Sequence, residues 1–297
     1  MAAIIISASR RTDIPAFYSR WFINRIREGY CTVVNPFNRR QVTRVSLLPA
    51  DVDLIVFWTK NAGPLIQHLQ ELDAGGFKYY FQYTVNGYPS PLEPYVPPLD
   101  TAIETFSRLA AEIGPDKVIW RYDPIVISNI TGFDYHLQQF EKIARSLRGK
   151  THRVVVSIVD DYRKSAHELE KLKNQDVLIA KEVNLQEIGN LMSSLSKFAE
   201  KNEMGIFSCA ETVPLESYGI SPGKCIDEQY IRQVLGLDIK KLKDKSQRPA
   251  CGCILSKDIG VYDTCLYGCV YCYAGTLKSG LRNRQQHAAD SPALIGW

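Results

Sequence analysis

Histidine is scarce in this 297-residue chain: there are five, His68, His136, His152, His167 and His287, and no two stand at a metal-ligand spacing. They read as structural residues, and no nucleophile–base motif of an ordinary hydrolase accompanies them. Long apolar runs are also missing. None approaches the roughly 18–20 residues a membrane-spanning helix needs. Neither sign of charge dominates, with 36 basic residues against 32 acidic and a net +4. That balance admits an anionic substrate without demanding nucleic acid. No basic region precedes the short apolar start of the chain, so Met1–Ser9 reads as a first strand rather than a signal peptide. A cytoplasmic, reducing location is expected, where eight cysteines favour metal binding over disulfides.

What is present is an alternation of short β-rich runs with amphipathic helices. Ile4–Ala8 is the continuous apolar run of a buried parallel strand. Pro15 opens a helix that Gly29 closes. Further strands are expected over Cys31–Val34, Leu54–Trp58, Lys78–Val85, Val118–Tyr122, Arg153–Val159 and Gly205–Cys209, with a last one over Gly260–Thr264. Helices are expected at Pro64–Leu72, from Asp100 to the Gly114-Pro115 stop, around Leu137–Leu147, and over Leu185–Phe198. A proline-rich loop, Tyr88–Pro98, is too long for a plain connector and reads as a lid or rim. Asp160–Asn184 reads as a charged, partly helical insertion. Eight βα-like steps favour a TIM-type (β/α) barrel, complete or nearly so, over an open doubly wound sheet. Three units follow: a barrel body over 1–237, a lysine-rich linker over 238–250, and a cysteine-rich segment over 251–297 packing on the barrel.

In a parallel barrel the chemistry sits where strands end. The expected exits carry Ser7, Ser9, Arg10-Arg11 and Asp13, then Asn35, Asn38 and Arg39-Arg40, then Thr59-Lys60-Asn61. Gln82, Thr84, Asn86, Ser157, Asp160 and Ser208–Glu211 follow. Arg121 and Asp123 interrupt the apolar stretch Ile119–Ile125, and a buried charge is costly unless paired or used. They are therefore candidate catalytic residues lining a cavity, with a structural ion pair as the alternative. Lys60, after Val56–Thr59, follows the same logic. The arginine pairs at 10–11 and 39–40 have the forked donors that suit phosphate or carboxylate.

The remaining feature is Cys265-Leu-Tyr-Gly-Cys269-Val-Tyr-Cys272-Tyr-Ala274. Three thiolates at C-x3-C-x2-C can reach one small metal centre but cannot all pair as disulfides. Three ligands match an iron–sulfur cluster with one iron left open, whereas structural zinc normally takes four. A second group, Cys209, Cys225, Cys251 and Cys253, could close a zinc site or an auxiliary Fe–S cluster, or remain reduced spectators. Cys31 reads as an apolar filler.

With Tyr271 before its third cysteine, the motif resembles the cluster loop of the radical S-adenosylmethionine (SAM) enzymes, in the form seen in their spore photoproduct lyase-like branch. The whole chain, from Ser-Ala-Ser-Arg-Arg-Thr-Asp-Ile-Pro to the cysteines, resembles bacterial domain-of-unknown-function family 1848. The first resemblance implies that Cys265, Cys269 and Cys272 hold a [4Fe-4S] cluster whose open iron binds SAM. It also implies a 5′-deoxyadenosyl radical, an external electron donor, an unknown substrate, and Tyr271 beside the adenine. Those enzymes carry the cysteines after the first strand. Here they follow the last, so a permuted radical SAM-like barrel is expected, with strand Gly260–Thr264 beside Ile4–Ala8. No Gly-Gly-Glu-like segment is present to hold the SAM amino group, and Glu211 or Asp13 are the stand-ins. The alternative is a metal-stabilised binding protein, with zinc or Fe–S, for nucleic acid or another phosphate-bearing ligand.

Overall fold

The computed structural model describes residues 4–35, 38–159, 163–180, 183–211 and 213–296. The chain begins with β1 (Ile4–Ala8), the turn α1 (Ile14–Phe17) and helix α2 (Ser19–Glu28). Strands β2 (Tyr30–Asn35) and β3 (Asn38–Ser46) come next, then β4 (Val52–Thr59). Two short helices, α3 (Gly63–Ile66) and α4 (Leu69–Ala74), lead into β5 (Tyr79–Thr84). The middle alternates regularly: α5 (Leu99–Ile113), β6 (Val118–Ile125), α6 (Phe133–Leu147), β7 (Arg153–Ile158). After α7 (Arg163–Lys171) and α8 (Leu185–Lys201) come β8 (Gly205–Cys209), β9 (Ser221–Gly223) and α9 (Glu228–Leu235). The chain closes with β10 (Lys257–Asp258) and α10 (Leu277–Arg284). No helix among the described residues is long and apolar enough to cross a membrane.

Eight strands form one parallel sheet in the order β10-β1-β4-β5-β6-β7-β8-β9. The fold is thus α/β with every strand of this sheet running the same way, so its strand exits share one rim. The end strands β9 and β10 do not pair with each other. Among the described residues a single backbone bond, Ile254 N–H to the Ile226 carbonyl (3.1 Å), links the segments beside them.

Three expectations need correcting. Cys31–Val34 is not a strand of the parallel sheet, because β2 turns back and pairs antiparallel with β3 in a separate ribbon. An antiparallel return needs only a tight connection, and the alternating burial of β2 fits a ribbon with one wet face. The eighth sheet position is filled instead by β9, which is only Ser221-Pro222-Gly223. The strand beside β1 is Lys257–Asp258, three residues earlier than Gly260–Thr264. Gly260–Thr264 is irregular, apart from the Ile259 N–H bond to the Ser7 carbonyl (3.0 Å) just before it. The expected helix over Pro64–Leu72 breaks at Gln67-His68 into α3 and α4. Asp160 and the side chain of Arg39 lie outside the described residues.

The sheet's outer face carries large rings under the helices. Phe57 stacks on Phe81 (4.7 Å) and meets Phe22 (5.3 Å), while Trp120 packs on Phe140 (4.7 Å). The inner face is closed by the C-terminal third of the chain. Ile5, Leu54, Val56, Tyr80, Ile119 and Val155 pack against Ile226, Ile231 and Ile254, all buried. Each such side chain contributes about 1.5–3 kcal/mol when fully buried. The lysine-rich stretch 238–250 is mostly exposed but does not hang free: Lys243 pairs antiparallel with Ile254, and the buried Asp244 donates its N–H to the Cys253 carbonyl.

Candidate functional site

The rim at the carboxyl ends of the strands is built from β1 outward. Asp258 on β10 accepts from Ser7 Oγ (2.6 Å), Ser9 Oγ (2.7 Å), Arg10 N–H (2.9 Å) and Gly260 N–H (2.9 Å). One carboxylate therefore fixes the exit of β1 to the segment that leads into the cysteine loop. Asp13 caps α1 with both oxygens engaged: it accepts from Ala16 N–H, Thr59 Oγ1 and Lys60 N–H. Burial raises its pKa to about 7 despite those donors.

Cys265–Ala274 lies across this rim. Its base is closed by Asp263 N–H bonding to the Ala274 carbonyl (2.9 Å). Tyr18 Oη donates to the Thr264 carbonyl (2.7 Å), and Tyr273 Oη donates to the Arg10 carbonyl (2.8 Å). On the other side the proline-rich loop holds it through Val270 N–H to the Leu92 carbonyl and Tyr95 N–H to the Tyr267 carbonyl. That loop is the rim element its length foretold. Cys269 and Val270 pack on an apolar group of Tyr88, Leu92, Val126, Leu172 and Val177.

The three thiols lie within one another's fields. Burial, then Cys272 and Asp13, push Cys265 up to about 12, and backbone N–H groups of Tyr267 and Asp13 oppose this. Burial likewise drives Cys269 upward, while the Lys60 ammonium beside it favours the thiolate. Ala274 N–H approaches Cys272 Sγ at 3.4 Å. A donor set of three half-buried thiols, amide N–H groups and one ammonium suits a group that takes three thiolates and leaves one position open. Among the described residues no three His, Cys, Asp or Glu side chains already enclose a single ion. A cubane places its thiolates at separate corners, farther apart than the ligands of one ion.

Lys60 and Tyr271 meet at a residue the sequence reading passed over, Glu93, buried in the proline-rich loop. Lys60 Nζ donates to Glu93 Oε1 (2.8 Å) and to Tyr271 Oη (3.2 Å), and Tyr271 Oη donates to Glu93. Asn86 Nδ2 donates to Tyr271 Oη (3.2 Å), and Asn86 Oδ1 accepts from Asp123 N–H (2.9 Å). Lys60 keeps its charge: burial works against the ammonium, but Glu93 and its neighbours raise the pKa overall. The Tyr271 hydroxyl is thus part of a buried polar cluster, and its ring lies edge-on to Tyr88.

Arg121 and Asp123 alternate with the outward Trp120 and Tyr122 along β6 and pair with each other, Arg121 Nε to Asp123 Oδ2 at 2.8 Å. Ser157 Oγ donates to the other carboxylate oxygen. Arg121 Nη1 also reaches Gln82 Oε1 (3.2 Å) and Cys225 Sγ (3.0 Å). Glu211 sits nearby, accepting from Ile158 N–H (2.9 Å), with its pKa raised by burial. So Lys60, Tyr271, Arg121 and Asp123 join one network through Asn86 and Glu93. Asp13 belongs to the capping of α1, and Glu211 to the exit of β7.

The four other cysteines come together. Cys209 ends β8, Cys225 follows β9, and Cys251 and Cys253 precede β10; Cys209 and Cys225 Sγ are 3.3 Å apart. Cys225 also meets Cys253, and Cys253 meets Cys251. Cys31 is buried in the outer core, as expected of a filler. A polar cleft of about 480 Å³ opens beside the cysteine loop, lined by Arg10, Arg11, Lys257, Asp258, Tyr262 and Tyr273 among others. Arg40 is exposed and lies outside it.

Compared with known families, residues 5–274 match the family described as Domain of unknown function (DUF1848). No curated protein matches the chain significantly. Among solved structures it is similar to a putative alpha-L-fucosidase from Bacteroides thetaiotaomicron VPI-5482, at 9% identity and a TM-score of 0.28, over 80% of this chain and 84% of that one. A likeness that loose carries no argument about this chain.

Proposed function

The chain belongs to the family described as Domain of unknown function (DUF1848), a name without an activity, and we propose that it is a radical SAM-type iron–sulfur enzyme. The observation that carries this reading is the cysteine loop itself, three half-buried thiols held over the common rim of a parallel sheet beside the Lys60–Glu93–Tyr271 cluster. We read the eight-stranded sheet as a (β/α) barrel permuted so that its cluster loop follows the last strand. Cys265, Cys269 and Cys272 would hold a [4Fe-4S] cluster, which, reduced and with SAM bound, supplies a 5′-deoxyadenosyl radical.

The chain's own residues have separable tasks. Tyr88, Leu92 and Val126 keep water from one flank of the loop. Lys60 supports the thiolate form of Cys269 electrostatically. Arg121 and Asp123 present charge on the inner face, where a polar or anionic substrate would be oriented. Glu211 stands near Asp123 with one oxygen taken by Ile158 N–H.

Anaerobic reconstitution with iron and sulfide, followed by reduction with SAM, tests the proposal. About four irons per chain, an electron paramagnetic resonance signal that changes on adding SAM, and 5′-deoxyadenosine lost in Cys265→Ala, Cys269→Ala or Cys272→Ala are expected. A colourless protein that loads zinc on those three cysteines and yields no deoxyadenosine would sink it. One observation favours the second reading, a metal-stabilised protein binding a phosphate-bearing ligand: Arg10, Arg11 and Lys257 share the polar cleft.

A further inference from the structure

We propose that Cys209, Cys225, Cys251 and Cys253 form a tetrathiolate site for a single divalent ion of the zinc class, which clamps the open seam of the sheet. The seam lies between β9 and β10, the two end strands, which have no ladder between them. The four cysteines come from the three segments that border it: the end of β8, the stretch after β9, and the stretch before β10. One backbone hydrogen bond, Ile254 to Ile226, crosses there. An ion held by both sides would fasten what hydrogen bonding leaves nearly untied, and metal-binding free energy becomes folding free energy.

The Cys209–Cys225 contact favours one ion over a cluster. Bonds of about 2.3 Å from zinc to sulfur set thiolates roughly 3.8 Å apart in a tetrahedron. Cys209 and Cys225 are 3.3 Å apart, nearer that edge than the corners of a cubane. A disulfide would account for Cys209 and Cys225 alone and leave the Cys251–Cys253 pair without a role. As they stand, no three of these thiols surround one point, so loading asks the chain of contacts Cys209–Cys225–Cys253–Cys251 to close on itself by moving sulfur.

The surroundings supply an independent observation. Four neutral thiols, three of them buried and Cys209 half-buried, need no cations, yet two guanidinium groups stand beside them. Arg121 donates Nη1 to Cys225 Sγ at 3.0 Å. Arg10 lies over the Trp58 ring (4.8 Å), within the fields of Cys253 and Cys225 as well as of Asp258. Its Nη2 is buried without a hydrogen-bond partner among the described residues. An unsatisfied buried donor costs about 1–3 kcal/mol, more on a charged group. Four thiolates around a divalent ion carry net −2, which gives Arg10 an acceptor for the donor it leaves unsatisfied. N–H donors to metal-bound sulfur, here Arg121 and the Ile226 amide toward Cys253 Sγ (3.5 Å), are the outer shell such a site requires.

The test separates this site from the cluster loop. A Cys265→Ala/Cys269→Ala/Cys272→Ala variant of the full chain is loaded with zinc or, as a spectroscopic probe, cobalt(II). The expected results are about one ion per chain and the visible bands of tetrahedral cobalt–thiolate, lost in Cys225→Ser and Cys253→Ser. Should those serine variants not fold, a mercurial titration of the parent variant decides: zinc should leave only as about four thiols react. No stoichiometric zinc or cobalt, or loading by iron and sulfide at these four cysteines, would overturn the proposal. Neither result touches the deoxyadenosine test, which reads the other three cysteines.

Discussion

Replacing Glu93 with glutamine removes the one anion paired to a lysine in the wall of the site. Lys60 has 13% of its side chain exposed and Glu93 only 2%, so the pair is held in a largely dry setting. Breaking such a pair from one side costs about 3–5 kcal/mol, because the remaining charge stays buried. Glutamine keeps one acceptor for Lys60 and Tyr271, which places the expected loss near the lower figure, about 3 kcal/mol. Urea unfolding followed by tryptophan fluorescence measures it. Lys60→Met removes the stranded charge, so Lys60→Met/Glu93→Gln should be more stable than the sum of the two single changes predicts. Without Glu93, burial dominates Lys60 and its folded pKa falls below the unfolded value. The deficit of Glu93→Gln should therefore narrow as pH rises from 7 toward 10. With a neutral acceptor in place of the carboxylate the Tyr271 hydroxyl is held less tightly, so Cys269 should react faster with a thiol reagent in the variant. A loss under about 1 kcal/mol, the value of an exposed pair, would refute the buried-pair reasoning.

Three further outcomes follow from other contacts. His136 is buried between Tyr122 Oη and the Val126 carbonyl, and burial lowers its pKa from 6.5 to about 4. Because the unfolded chain takes up that proton first, stability should fall as pH drops from about 6.5 to about 4, by ~2 kcal/mol at pH 5. A His136→Gln variant should lose that pH dependence in urea unfolding. Gly280 on α10 lies where a Cβ would come 2.5 Å from the Cys265 carbonyl oxygen. Gly280→Ala gains up to about 1 kcal/mol of helix propensity but loses about 1–3 to the clash, so a lower melting temperature and weaker iron loading are expected. Asp258→Ala strips the acceptor from four donors at once, about 4 kcal/mol at ~1 kcal/mol each, and should speed amide exchange over Ile4–Ala8.

The strands of the central sheet were legible where burial on both faces writes a continuous apolar run, as in Ile4–Ala8 and Val154–Val156. The end strands were not. Ser221-Pro222-Gly223 and Lys257-Asp258 are too short and too polar or turn-like to carry a strand signal. Cys31–Val34 shows a strand but not its partner, and only the return of Asn38–Ser46 decides between sheet and ribbon. Cys265, Cys269 and Cys272 were legible because ten residues of one loop contain the whole constellation. Glu93 was hidden because a carboxylate in a proline-rich loop looks solvated until Tyr271, some 180 residues on, is brought over it. The charge of Arg121 inside an apolar strand announced burial correctly. What it faces, the Cys225 thiol, depends on a segment far along the chain.

That last contact links the two thiol groups. From Cys225 the side chains run through Arg121 to Asp123, whose backbone N–H holds Asn86, and Asn86 holds Tyr271 beside Cys269. Every step is a hydrogen bond between groups buried on at least one side, so a change of charge at Cys225 alters the field at Asp123 directly. Metal binding at the seam would turn the thiol that Arg121 touches into a thiolate acceptor and compete with Asp123 for the guanidinium. Asp123, less tightly paired, would then be freer to engage a substrate on the inner face. The seam ion would in this way do two things with one set of ligands, fastening the ends of the sheet and setting the balance of the charged pair between the two cysteine groups.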